Sequence, residues 1–111
     1  MARNDRLGEL EHIVLLALLQ LGEDAYGVSI RREIETRTGR EIGPGTIYPT
    51  LERLEKKGFL GSRMGSPTAE RGGRAKRHFE LEPLGLAELR RTRGVLAAMS
   101  AGAEDLLDQK V

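Results

Sequence analysis

The stretch from Leu7 to Leu21 sets the tightest limit on what this chain can fold into. Leu7, Leu10, Val14, Ala17, Leu18 and Leu21 recur at helical spacing, while Ile13, Leu15, Leu16 and Leu19 fill the remaining faces. A helix that is apolar nearly all round must be covered on more than one side. With 111 residues available, the modest core of a single domain leaves part of that surface to a second chain. The run is too short for a membrane. Its longest unbroken apolar piece, Ile13 to Leu19, is seven residues, against the roughly 20 that a bilayer demands. It also lacks a preceding basic region and a small-residue cleavage site, so a cytoplasmic protein is expected.

Two further helices follow. Gly22 ends the first, and Asp24 is placed to cap the second by accepting orphan backbone N–H bonds. Tyr26, Ile30 and Ile34 form its inward face, Arg31, Arg32, Glu33, Glu35 and Arg37 its outer one, and Gly39 its stop. The third begins near Pro44, whose fixed φ suits a first turn. Ile47, Leu51 and Leu54 line its inward side, with Thr46, Pro49, Thr50, Arg53 and Lys57 expected outward and Gly58 at its end. Pro49 removes one backbone donor early in the helix without ending it.

Beyond Phe59 the period shortens. Residues 59–64 and 76–82 alternate, and the glycine-rich segment between them carries Arg71, Gly72, Gly73 and Arg74, which reads as a β-hairpin with a basic tip. From Pro83 a last helix is expected through about Leu107. Leu89, Thr92, Leu96, Met99, Ala103 and Leu106 are spaced as a short heptad seam. Gly94 and Gly102 each weaken that helix by roughly 1 kcal/mol, a loss that packing against a partner chain would offset.

This order describes a mainly α fold with a small β-hairpin: a winged helix-turn-helix over residues 1–82, then a C-terminal dimerisation helix over 83–111. The charge agrees with it only when resolved along the chain. Lys and Arg number 18 against 17 Asp and Glu, a net +1. Residues 63–78, however, sum to +4, leaving about −3 elsewhere. Attraction to phosphate follows the local patch rather than the total. A helix about 10–12 Å across fits the major groove of B-DNA. Short hydroxyls (Thr46, Thr50) and cations (Arg53, Lys57) on its outer face suit phosphates and base edges. Arg71, Arg74, Lys76 and Arg77 of the hairpin suit the flanking backbone or minor groove.

Particular segments also resemble a known family. Glu11 to Leu19 and Ala25 to Ile30 are similar to the opening of the PadR family of bacterial transcriptional regulators, and Gly43 to Gly58 resembles its most distinctive motif. Arg74 to Leu81, followed by Leu84, Gly85 and Leu89, is similar to the family's wing and its lead into the last helix. Phe79 stands where the family usually has tyrosine, and the single short C-terminal helix matches its smaller subgroup. The resemblance implies a regulator, expected to be a repressor, that acts as a homodimer on double-stranded operator DNA of palindromic sequence. Leu10, Val14, Leu89, Leu96, Met99, Ala103 and Leu106 are the expected dimer contacts. The resemblance also suggests Tyr48 as a phosphate donor, the other reading being an aromatic packed between helices. Tyr26 has the same two readings.

Catalysis finds no support. The chain has no cysteine, and its two histidines, His12 and His78, lie in different elements without ligand-spaced partners, so neither a metal nor another cofactor is expected. A small-molecule effector is implied only by the resemblance. With no tryptophan and four other aromatics, a stacking pocket for planar drugs is poorly supplied. The alternative function is a winged-helix module that docks a protein instead of DNA.

Overall fold

The computed structural model describes residues 7–65 and 76–109. Its elements are α1 (Glu9–Leu21), α2 (Gly27–Thr38), α3 (Pro44–Lys56), β1 (Leu60–Met64), β2 (Arg77–Leu81), α4 (Pro83–Ser100) and α5 (Glu104–Leu107), with a short 3₁₀ turn over Gly22–Asp24. The fold of the described residues is the expected one, helical with a two-stranded antiparallel hairpin.

The inner part of α1 is the centre of the core. Val14, Leu15, Ala17 and Leu18 are buried together with Ile30 and Ile34 of α2, Ile47, Leu51 and Leu54 of α3, Phe59, Leu60, Phe79 and Leu89. α1 packs against α2, α3, α4 and β2. Its other side stays open, with Leu16 and Leu19 exposed. Val14 and Leu89, expected at a dimer surface, are buried in this chain's own core, at 0% and 4% exposure. Leu10 is half-buried against the same core.

The start of α2 differs from expectation. The Asp24 side chain does not cap it; instead Tyr26 N–H donates to Ser29 Oγ (2.9 Å), and Ser29 Oγ–H reaches the Asp24 carbonyl (2.5 Å). Gly39 ends α2 in the left-handed region, at φ 76°. Pro49 is tolerated inside α3 because it forfeits only the bond to the Gly45 carbonyl, and Gly45 is exposed to water.

In the hairpin, Leu60 pairs with Leu81 and Met64 with Arg77. The free edge of β2 is partly covered, since Phe79 N–H donates to the Ala25 carbonyl (2.8 Å) and Tyr26 bridges His78. That bond joins the hairpin to the entry of α2, so wing and helices form one body.

The last helix is shorter than expected. It ends at Ser100, and after a turn in which Gly102 takes φ 85° the chain forms only α5. The heptad seam is thus continuous only through Leu89, Thr92, Leu96 and Met99. Ala103 and Leu106 lie beyond the break, because a left-handed residue cannot carry a helix onward. From Arg93 to Met99 every residue of α4 is exposed.

Candidate nucleic-acid interface

The outer face of α3 exposes Thr46, Tyr48, Pro49, Glu52, Arg53 and Lys56. Tyr48 is positioned by α2, because its ring lies directly over Gly27 at the helix start. A Cβ on residue 27 would sit 2.0 Å from Tyr48 Oη. Tyr48 is thus neither free nor buried: one edge rests on α2 while 41% of the residue remains in solvent.

Two of the expected outward residues face elsewhere. Thr50 is buried, at 1% exposure. It completes the inward stripe of Ile47, Leu51 and Leu54, being three residues from one end and four from the other. Its hydroxyl donates to the Thr46 carbonyl (2.7 Å) and accepts from Arg53 Nη2 (3.2 Å). Lys57 folds back instead of pointing outward. Its Nζ donates to both carboxylate oxygens of Glu11, each at 3.1 Å. Arg53 Nε lies 3.5 Å from Glu11 Oε2, yet the Arg53 side chain stays 55% exposed.

Glu11 was the residue sequence reasoning missed. It is 7% exposed, and its Oε1 also accepts the Gly8 N–H at 3.0 Å. Burial pushes its carboxyl up, but the Gly8 N–H, Lys57 and Arg53 outweigh this and hold it below the usual carboxylate value. The available signal was positional: Glu11 falls on the α1 face defined by Leu7, Val14 and Leu18, where an acid needs a partner.

At the base of the hairpin the cations are also tethered. Arg77 donates to Glu55 Oε1 (2.7 Å) and lies over the Phe79 ring at 5.1 Å. The Lys76 ammonium sits over the Tyr26 ring at 4.2 Å, and His78 meets that ring edge-on. Arg71 and Arg74 lie outside the described residues. Arg63, part of the basic stretch, is exposed, as is Lys56, which the sequence did not single out.

A second concave surface lies between α1 and α4. It is a groove of about 710 Å³ lined by His12, Leu16, Leu19, Leu89, Leu96 and neighbouring residues. The Nδ1 of His12 is buried there without a hydrogen-bond partner. Burial lowers the His12 pKa, and the Glu88 charge only partly restores it. No group of three or more metal-ligating side chains occurs among the described residues, and no helix there is long and apolar enough to cross a membrane.

Residues 15–91 match the transcriptional regulator PadR-like family. The chain is 35% identical over 77 residues to a transcriptional regulator of Mycobacterium tuberculosis, covering 69% of this chain and 67% of that one. Among solved structures, a PadR family transcription regulator of Clostridium difficile superposes with a TM-score of 0.72 at 23% identity, covering 90% of this chain and 99% of that one. A PadR-like regulator of Bacillus cereus gives 0.69 at 22% identity, covering 91% and 93%. At such identities the structural matches establish the fold alone.

Proposed function

Because the chain belongs to the PadR-like family of transcriptional regulators, we propose that it works as a homodimeric repressor on a palindromic operator. In this reading α3 enters the major groove, and the hairpin lies over the flanking backbone or minor groove. Residues 1–82 do the reading, and residues 83–111 pair the two chains together with the outer face of α1. The observation that carries the proposal is the exposed row of Thr46, Tyr48, Pro49 and Arg53 on α3, backed by a rigid core and flanked by the hairpin. Arg53 and Tyr48 are the principal contacts. Lys76 and Arg77 act from the wing base, and Arg71 and Arg74 from the segment that joins its two strands.

The dimer reading is supported by Leu16 and Leu19 of α1 and by Leu96 and Met99 of α4, all left exposed by one chain. Two copies meeting through these faces would cover the surface that the all-apolar helix leaves open and set two α3 helices about one DNA turn apart. A small effector would lie at this dimer interface, against the α1–α4 groove. Its lining is aliphatic apart from His12, Ser100 and two arginines, so planar aromatic drugs should bind weakly.

The test pairs sedimentation of the purified protein with a salt titration of its binding to promoter fragments. A dimer whose affinity for one fragment falls steeply with salt is the expected result. Salt-insensitive binding, or none to any fragment, would overturn DNA reading in favour of the protein-docking alternative.

A further inference from the structure

Glu11 and Lys57 are 46 residues apart, yet they meet through two hydrogen bonds. Lys57 Nζ is 3.1 Å from each carboxylate oxygen. The Gly8 N–H takes a further lone pair of Oε1 at 3.0 Å, and Arg53 Nε stands 3.5 Å from Oε2. The Glu11 side chain is 9% exposed and that of Lys57 25%. Arg53 is held from a second side by its bond to Thr50 Oγ1 (3.2 Å), which is itself tied to the Thr46 carbonyl.

We propose that Glu11 is a positioning residue for DNA reading: it withholds Lys57 from phosphate and presets the Arg53 guanidinium, so that α3 presents one ordered cation at this point instead of two mobile ones. The inference rests on the DNA-binding reading above. Its physical basis is asymmetry of cost. Moving Lys57 to a phosphate would leave a carboxylate buried without its main counter-charge, which is strongly unfavourable. The pair therefore persists when DNA arrives. Arg53 differs, since more than half of its side chain is already in solvent. Its contact with Glu11 is longer than a hydrogen bond, so it orients the fork without consuming the outer donors. The consequence is specificity. A cation free to seek any phosphate strengthens binding to all sequences alike, whereas a fixed guanidinium rewards only the matching base edge or phosphate.

The experiment compares the intact protein with Glu11→Gln and Glu11→Gln/Lys57→Gln on a mixed-sequence duplex of about 20 base pairs, long enough for two half-sites. Affinity is measured across salt concentration. Glu11→Gln frees one Lys57 in each protomer, so across two half-sites its log affinity against log salt steepens by about 2, and the ratio of affinities between about 50 and 200 mM salt grows roughly twelvefold. The double substitution removes that gain. A purely structural role for Glu11 would lower stability without changing the slope. An unchanged slope in folded Glu11→Gln, or a gain that survives in the double variant, overturns the proposal. Should Glu11→Gln not fold, the unaltered protein still decides. The Lys57 ammonium signal, followed by ¹H–¹⁵N NMR during duplex titration, stays in place if Glu11 keeps it and moves if phosphate takes it. Failure of the intact protein to bind the duplex at any salt overturns the DNA reading itself, an outcome distinct from an unchanged slope.

Discussion

The ring of Tyr48 lies on Gly27, so closely that the smallest side chain at position 27 would place its Cβ 2.0 Å from Tyr48 Oη and 2.5 Å from Cζ. Gly27 is helical and buried, so its role here is space rather than backbone freedom. Gly27→Ala is expected to swing Tyr48 away while leaving the core intact. If Tyr48 donates to phosphate, affinity of the dimer for the preferred promoter fragment falls on the order of a hundredfold, because each protomer loses one charge-assisted bond of about 1.5 kcal/mol. Tyr48→Ala should match it, and the two together should lose no more than either alone. Fluorescence anisotropy checks this. Wild-type affinity in Gly27→Ala beside a loss in Tyr48→Ala would detach the ring's position from its function.

Gly85 makes a different demand, because its neighbour cannot move. A Cβ there would stand 2.2 Å from the Phe59 carbonyl oxygen and 2.9 Å from Leu81 Cδ1. Gly85→Ala must push the start of α4 off the turn between α3 and β1, with a loss of about 2–3 kcal/mol. Gly94, with nothing within 4 Å of its would-be Cβ, is the control. Gly94→Ala should gain about 0.5–1 kcal/mol from helix propensity. Denaturant midpoints of the two variants should move in opposite directions.

These contrasts show which parts of the fold could be read from residue order. The inward stripes of α1, α2 and α3 were legible because burial repeats with the helical period, and the hairpin because alternation brackets a glycine-rich segment. Thr50 was misread because its hydroxyl was weighed by type, although its position completes the stripe of Ile47, Leu51 and Leu54. Lys57 was misread for a related reason. Its partner Glu11 is remote in sequence, and local charge patterning does not report a contact across the fold. Gly102 looked like a weak helical residue; its positive φ, which decides that α4 stops, depends on how the following turn closes.

The exposed end of α4 yields a prediction about assembly. Leu96 and Met99 are 59% and 79% exposed, one helical turn apart on the same face. Leu96→Glu/Met99→Glu should yield a folded monomer, since neither side chain supports its own chain's core. Sedimentation would show half the mass, and circular dichroism an unchanged helix content. Operator affinity should drop by at least a hundredfold as the two half-sites lose their linkage. A variant that remained dimeric would move the pairing surface away from α4.

Acidification should weaken the fold in two stages, each with its own residue. Burial holds the His12 pKa below its ordinary 6.5, against partial restoration by Glu88. The neutral ring is thus favoured in the folded state, and the unfolded chain takes up the proton first. Stability is complete above pH 6.5 and declines as pH falls from there through the folded pKa. Glu11 acts lower. Burial alone would raise its pKa, but the Gly8 N–H, Lys57 and Arg53 bring it below the ordinary 4.5. Its contribution is present above pH 4.5 and is lost as pH falls through the depressed folded value. Denaturant midpoints measured from pH 8 to about 3 should accordingly fall first near the histidine range and again below the carboxylate range. His12→Leu should flatten the first decline, while Glu11→Gln should flatten the second and lower the plateau above it, because Lys57 then lacks its counter-charge. A first decline that persists unchanged in His12→Leu would assign it to another group.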